Sequence, residues 1–353
     1  MEATQAKDLG ATASLEEMRQ RVAAASAISP PWDGPLLGPK AKTGRTIAII
    51  NEDLRNGGIL GVAQGVREAA KVLGWKVKMF DAGGTQEGRK EAAAQALRVD
   101  PDGVLLNGAD AKIMAPWLAP LAKREIPVVG WHVGPKAGKM SAGAVAMNIS
   151  TDPLEVARIT AMAAIVAAQG RAGVIIFTDS NFEIALAKSD AMAEVIRRCQ
   201  GCSLLEVRDV AISDSAQRMP TVSRELLDRY GERWTHALAI NDIYFDHAVP
   251  EFILAGPAAQ HIDLLSAGDG SSAAYVRIQA RAFQVGTVAE PLNLHGWQLV
   301  DELNRLMEHQ PVSGYVAPVH LITPENVEYD GGLEYRYDPT NGYRNIYRRI
   351  WGR

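Results

Sequence analysis

From Thr46 onward the chain alternates short apolar runs, rich in β-branched residues, with longer segments whose apolar positions recur at helical spacing. The strand-like runs fall at 46–51, 76–80, 103–107, 127–131 and 145–149, then at 172–178, 203–210, 236–241, 262–267 and 283–288. The segment 59–73 is typical of the helices between them. Ile59, Val62, Ala63, Val66, Ala70 and Leu73 share one face, and Gln64, Arg67, Glu68 and Lys71 lie opposite. Strands that are apolar at nearly every position need cover on both faces, which alternating helices supply. The pattern therefore predicts an α/β protein built on doubly wound parallel sheets.

So many strands exceed what one open sheet accommodates, and a division is expected near residues 150–152. There Asp152-Pro153-Leu154-Glu155 starts a helix, with Asp as N-cap and Pro in the first turn. Two similar units follow, 45–150 and 151–290. A helix over 291–309 and a strand at 319–322 remain to join one sheet or the other. Residues 1–44 differ from both units. Ser14-Leu15-Glu16-Glu17 has capping-box spacing and opens a helix to about Ala27. The stretch 29–39, with its prolines and glycines, fits neither helix nor sheet interior. It reads as an arm laid over the surface, anchored by Trp32.

Composition narrows the function. Among 353 residues, 37 Lys and Arg oppose 41 Asp and Glu, for a net charge of −4. Such a chain has no overall attraction for nucleic acid or an anionic membrane. No apolar run approaches the roughly 20 residues of a spanning helix. The start, Met1-Glu2-Ala3, has neither a basic segment nor an apolar one, so taken literally it reads as cytoplasmic, and taken as a processed chain it is neutral. Phosphate-loop, nucleophile-elbow and HExxH patterns do not occur, and the histidines have no metal-ligand spacing. No cofactor or metal is expected. Cys199 and Cys202 follow a helical stretch, the wrong end for a thioredoxin-type thiolate. They read as a disulfide across a helix-to-strand turn if the compartment is oxidising, and otherwise as two free thiols.

In open α/β sheets ligands bind beyond the carboxyl ends of strands. Those positions carry Arg55 and Asn56 after the first strand, then Asn107, and Trp131-His132. In the second unit they carry Asp179-Ser180-Asn181, Asn241-Asp242, Asp269 and Glu290. Amides, carboxylates and an imidazole, which between them donate and accept, suit a small polyhydroxy molecule. Trp131 offers a ring face for sugar C–H groups. Asp110, Asp179 and Asp242 read equally as helix caps, and Lys188 as a solvated helix residue.

These features, in order, resemble the type I periplasmic solute-binding proteins of sugar ABC transporters, the ribose-binding group. The resemblance covers about 46–325. It rests on Thr46-Ile-Ala-Ile-Ile50 with Asn56 in the loop after it, Pro101-Asp-Gly-Val-Leu-Leu-Asn107, Ile126-Pro-Val-Val-Gly130 and Ile149-Ser-Thr-Asp152. It continues through Ala237-Leu-Ala-Ile-Asn241-Asp242, Leu265-Ser-Ala-Gly-Asp269-Gly270 and Val288-Ala-Glu290-Pro291. It implies two doubly wound parallel-sheet lobes joined by a three-strand hinge. Residues 45–150 with 291–320 would form one lobe, and 151–290 with 321–353 the other and its tail. Asn56, Asn107 and His132 match first-lobe contacts; Lys188, Asn241, Asp269 and Glu290 match second-lobe and hinge contacts. Three departures stand out. Gly58 and Ile59 replace the family's paired aromatics, His132-Val133 replaces an Asp-Arg pair, and Lys188 replaces an arginine. Gly268 also stands where an aromatic precedes the aspartate, so Trp131 is the expected substitute platform. The implied protein is a periplasmic monomer, not an enzyme, that delivers a monosaccharide or polyol to ABC permease subunits. A ligand-sensing receptor, a lactose-repressor-like regulator core and an enzyme on the same fold are the rivals. For the regulator, residues 1–44 are too short and Pro-rich to form a DNA-binding segment.

Overall fold

Buried strands flanked by amphipathic helices resolve into two sheets. The computed structural model describes residues 13–331 and 334–353; expectations placed on residues 1–12 and on Gly332 lie outside the described residues. In chain order the elements are α1 (Leu15–Ala25), β1 (Thr46–Asn51), α2 (Gly57–Leu73), β2 (Lys76–Asp81), α3 (Gln86–Arg98), β3 (Gly103–Asn107), α4 (Ala111–Lys123), β4 (Val128–Trp131), β5 (Gly138–Lys139) and β6 (Val145–Ile149). Then come α5 (Pro153–Ala167), β7 (Gly173–Thr178), α6 (Glu183–Arg198), β8 (Ser203–Asp209), α7 (Ser215–Tyr230), β9 (His236–Ala239), α8 (Ile243–Ala255), β10 (Asp263–Ser266), α9 (Ser272–Gln279) and β11 (Gln284–Ala289). The chain closes with α10 (Leu292–Met307), β12 (His320–Ile322), α11 (Val327–Asp330) and α12 (Tyr343–Trp351).

Each sheet has six strands, ordered β2-β1-β3-β4-β6-β5 and β12-β11-β10-β9-β7-β8. All neighbours are parallel except the edge strands β5 and β12, which run antiparallel to β6 and β11. The interior strands β3, β4 and β7 are buried at every residue, whereas β2 and β8 show partly exposed faces. Charged side chains on those two strands, Lys76 and Lys78 on one and Glu206 and Arg208 on the other, discourage further pairing. The first sheet separates two apolar clusters. One gathers α2, α10 and α12 on one face, and the other gathers Ala92, Ala96, Met114 and Leu118 of α3 and α4 on the opposite face. The second sheet lies in one larger cluster that includes Trp234, Phe177, Tyr244 and Phe252.

Between β1 and β12 three crossovers join the lobes. The chain leaves the first sheet after β6. It returns after β11 to place α10 against α2, and crosses again to add β12 to the second sheet. Helices α2 and α10 meet closely because two glycines face each other: a Cβ on Gly296 would lie 2.5 Å from backbone atoms of Gly65 and Val66.

The termini depart from the expected division. Helix α1 keeps its capping box, Ser14 accepting from Glu17, but packs Met18 and Ala25 into the second lobe and pairs Arg21 with Glu155. The arm then crosses to the first lobe. There Trp32 meets Tyr315 and Tyr347 at centroid distances of 5.0 and 5.5 Å, and the carbonyls of Leu37 and Pro39 accept from Arg305 and Asn304. The tail corrects the assignment of 321–353 to the second lobe. Val327 of α11 does pack there, with Tyr275 and Ile278, but Tyr343, Tyr347, Ile350 and Trp351 of α12 are buried in the first lobe. The indole of Trp351 donates to Asp301 (2.7 Å) and stacks 5.3 Å from Trp297.

Candidate functional site

The carboxyl ends of the two sheets face each other across a cleft with a cavity of about 210 Å³. The lobes touch around it. A Cβ on Gly58, in the first turn of α2, would fall 2.2 Å from the Asp269 carboxylate, so only glycine fits this approach. Gly57 likewise abuts Ser271, and Lys112 of the first lobe pairs with Glu183 of the second.

Of the candidate residues, Asn56, Trp131, His132, Lys188, Asn241 and Asp269 line this cavity. Arg55, Asn107, Ser180 and Glu290 do not line it. Arg55 is largely exposed and clasps Asp53 through Nε (2.9 Å) and Nη2 (2.5 Å). Asn107 is fully buried beneath the site, and its amide donates to Asn51 (2.8 Å) and to the Ile59 carbonyl (2.9 Å). Ser180 turns away, its hydroxyl against Asp209 at 2.5 Å. Glu290, fully buried, lies behind the wall and holds it. Its Oε1 is 2.8 Å from His132 Nε2, and its Oε2 accepts from the Thr151 N–H at 3.3 Å.

The hinge side is a ring stack. Trp131 and His132 are nearly parallel, with centroids 3.7 Å apart and an interplanar angle of 10°. The face of Trp131 toward His132 is therefore occupied, while the ring still lines the cavity. The indole donates to His295 Nδ1 at 3.1 Å, so His295 carries its proton on Nε2. Burial pushes His295 down to about 4, against the pull of Glu290 3.3 Å away, and it is neutral at pH 7. His132 adopts a left-handed backbone (φ 52°), a cost of about 1 kcal/mol for a non-glycine residue. That turn carries its ring between Glu290 and Asp269, whose Oδ1 lies 3.9 Å from Nδ1.

Opposite His132 the second lobe supplies Lys188, Asn241 and Asp269. Lys188 is buried rather than solvated, and its ammonium donates to the Ala267 carbonyl at 2.7 Å. Asn241 donates to Asp269 at 2.6 Å and accepts from the Ile243 N–H, which fixes its orientation. Burial raises Asp269 to about 6, while His132 and Lys188 draw it down. Burial acts on Glu290 in the same sense, but the charge and hydrogen bond of His132, with His295 and Lys188, outweigh it and hold that carboxylate well below its usual range.

Other groups also line the cavity: Asp179 and Asn181 of the strand-end series after β7, and Glu52 and Asp53, which the sequence did not single out, in the loop after β1. Arg89 reaches in from α3, one turn past its Thr85 cap, and grips Glu52 through Nε at 3.0 and 2.8 Å. Burial raises Glu52, and Arg89 opposes that rise. Nothing in the spacing of a surface-patterned helix marks Arg89 as inward-facing. Asp179 accepts from Asn181 and from the Ile212 N–H, and does not cap α6, whose N-cap is Phe182. Asp242 likewise makes no cap bond and instead accepts from the N–H groups of Gly270 and Ser271. Asp110 does cap α4, and Asn56 caps α2 through the Gly58 N–H. Cys199 and Cys202 are joined by a disulfide at the carboxyl end of α6. No group of ligands fit for a metal ion occurs among the described residues.

Two mostly parallel sheets whose strand ends meet across a cleft are the two-lobed architecture of type I periplasmic binding proteins. A family profile described as periplasmic binding protein domain matches residues 47–311, and the chain belongs to that family. Among solved structures, it is similar to an ABC transporter solute-binding protein from Mycobacterium smegmatis with bound glycerol. The TM-score is 0.72 at 16% identity, covering 83% of this chain and 99% of that one. It is also similar to one from Agrobacterium vitis with bound allitol (TM-score 0.68, 18% identity, 81% and 97% covered). A third is the Caulobacter myo-inositol binding protein (TM-score 0.68, 15% identity, 80% and 93% covered). No curated protein sequence matches the chain.

Proposed function

We propose that this protein is the solute-binding component of an ABC importer. It captures a small polyhydroxy molecule, a monosaccharide or polyol, between its lobes and presents the closed form to membrane permease subunits. The observation that carries this reading is the cluster of His132 from one lobe with Lys188, Asn241 and Asp269 from the other, on facing walls of one cavity. The solved relatives with bound glycerol, allitol and myo-inositol support the ligand class. Neither wall alone satisfies such a solute. A solute that contacts both favours the closed form by its differential affinity for closed over open. The contacts of Gly58 with Asp269 and of Lys112 with Glu183 are those that opening breaks.

The protein acts by capture, not by chemistry, and works as a monomer in the periplasm, where the Cys199–Cys202 disulfide persists. Isothermal titration against a panel of monosaccharides and polyols tests the reading. At least one is expected to bind with a dissociation constant of about 1 μM or tighter, near −8 kcal/mol. A panel with no binder overturns it.

A further inference from the structure

The polar groups of the cleft are fewer, from a ligand's point of view, than their number indicates. Glu52 is spent on Arg89, Asp53 on Arg55, and Asp179 on Asn181 and Ile212. Asn241 is spent on Asp269 and Ile243. Apart from the Asn56 amide nitrogen and Arg89 Nη1, spare capacity is concentrated at one corner. Lys188 uses one of its N–H donors, and Asp269 Oδ1 and His132 Nδ1 stand 3.9 Å apart, too far for a mutual hydrogen bond.

Beside Asn56, Ser213 and Trp131, the rest of the lining is mostly aliphatic. Ile59 and Ile113 from the first lobe meet Ile184, Ile212 and Ile240 from the second, with Phe182 beside them. The Lys112–Glu183 pair brings α4 and α6 together, and Ile113 and Ile184 are the next residue on each side. These branched side chains are stiff about χ1 and several have pinned backbones. The Ile59 carbonyl accepts from Asn107, the Ile212 N–H donates to Asp179 (2.8 Å), and the Ile240 N–H donates to the Phe177 carbonyl (3.2 Å). A sugar bearing hydroxyls around its whole rim would press some of them against carbon with no partner, which costs binding.

We propose that the ligand is a deoxygenated or alkyl-bearing polyhydroxy compound, such as a 6-deoxyhexose. Its hydroxyls would meet the Lys188–His132–Asp269 corner, and its methyl group the isoleucine wall. This assignment rests on reading the cleft as a polyhydroxy-solute site.

Titration of the full chain with matched pairs separates the two: L-fucose with L-galactose, L-rhamnose with L-mannose, and 6-deoxy-D-glucose with D-glucose. In at least one pair the deoxy member is expected to bind about 10- to 100-fold tighter, the range for an added hydroxyl entering an apolar pocket. A smaller preference in every pair, or binding only by fully hydroxylated sugars, overturns this assignment and leaves the solute-binding reading standing. No binding by any sugar or polyol removes both. The variants Ile113→Thr and Ile184→Thr each place a hydroxyl on a branched but shorter side chain, with the isosteric Ile113→Val and Ile184→Val as apolar controls, and at least one Thr variant is expected to narrow the preference about tenfold relative to its Val control. A preference unchanged in both overturns the placement of the methyl group on this wall.

Discussion

The two walls of the cleft treat charge differently. On the first lobe, Glu52 with Arg89 and Asp53 with Arg55 close on one another within the wall. On the second, Lys188 has no carboxylate at salt-bridge distance among the described residues, and Asp269 keeps an oxygen unspent by Asn241. His132 comes from the first lobe but belongs with the second group, because Glu290 and the turn at φ 52° hold it there. A wall's ligand capacity is thus not its charge count but the part its own framework leaves unsatisfied. The first wall shapes the cavity, and the second, with His132, is left to bind.

The largest effect that tests this contrast is on stability. Arg89→Met leaves Glu52 buried without its partner, and breaking such a pair costs about 3–5 kcal/mol. Urea unfolding at pH 7 reads it directly. A loss below about 1 kcal/mol would mean the pair is not part of the framework. Because burial already raises Glu52, its protonation is expected to shrink the deficit toward pH 5.

Asp269 should behave in the opposite way. Its folded pKa, about 6, lies above its ordinary 3.8, so the ionised form burdens the fold. The burden is absent below about pH 4, grows through the interval, and is complete above about pH 6. Asp269→Asn is therefore expected to stabilise at pH 7 by up to about 3 kcal/mol and to lose that advantage as pH falls to 4. The variant-minus-wild-type difference is the quantity to follow. His236 and His295, both lowered by burial from 6.5 to about 4, impose a slope of opposite sign: they make each protein less stable as pH falls through that interval. A difference independent of pH would show that Asp269 is not a strained carboxylate.

The sheets were legible because a doubly covered strand writes its burial into every residue. The first sheet's β1, β3 and β6 lie at the residues their apolar runs marked. The short β5 was not legible, since Gly138-Lys139 carries no alternation to read. Nor was the destination of the ends. The tail over 329–351 is rich in Tyr and Trp, which need a packing surface but select no lobe, because Tyr343, Tyr347 and Trp351 would suit any apolar groove. In the site, strand-end position located His132, Asn241 and Asp269. It could not tell a residue that lines the cavity from one that props it: Asn107 and Glu290 sit at equivalent strand ends and are turned inward. Whether a strand-end side chain lines or props depends on one backbone turn, such as that at His132, which composition does not encode.

The smallest effect is also the one that separates the walls most sharply. Lys188 is 3% exposed, and its one hydrogen bond is to the Ala267 carbonyl. It has no direct ion pair among the described residues, and Asp269 and Glu290 act on it only through space. On the proposed function its unused donors face the solute, and a hydroxyl or ring oxygen is the acceptor that would complete its set. Lys188→Met keeps the length and the apolar stem and removes only the ammonium. Affinity for the bound solute is expected to fall about 30-fold, equivalent to ~2 kcal/mol and within the range for a hydrogen bond to a charged group. Unfolding stability should fall much less than in Arg89→Met, because the ammonium acts on Asp269 and Glu290 only through space and forms no direct ion pair with either. If titration and urea unfolding instead show Lys188→Met losing as much stability as Arg89→Met while keeping its affinity, then Lys188 is framework like Arg89, and the two walls are alike.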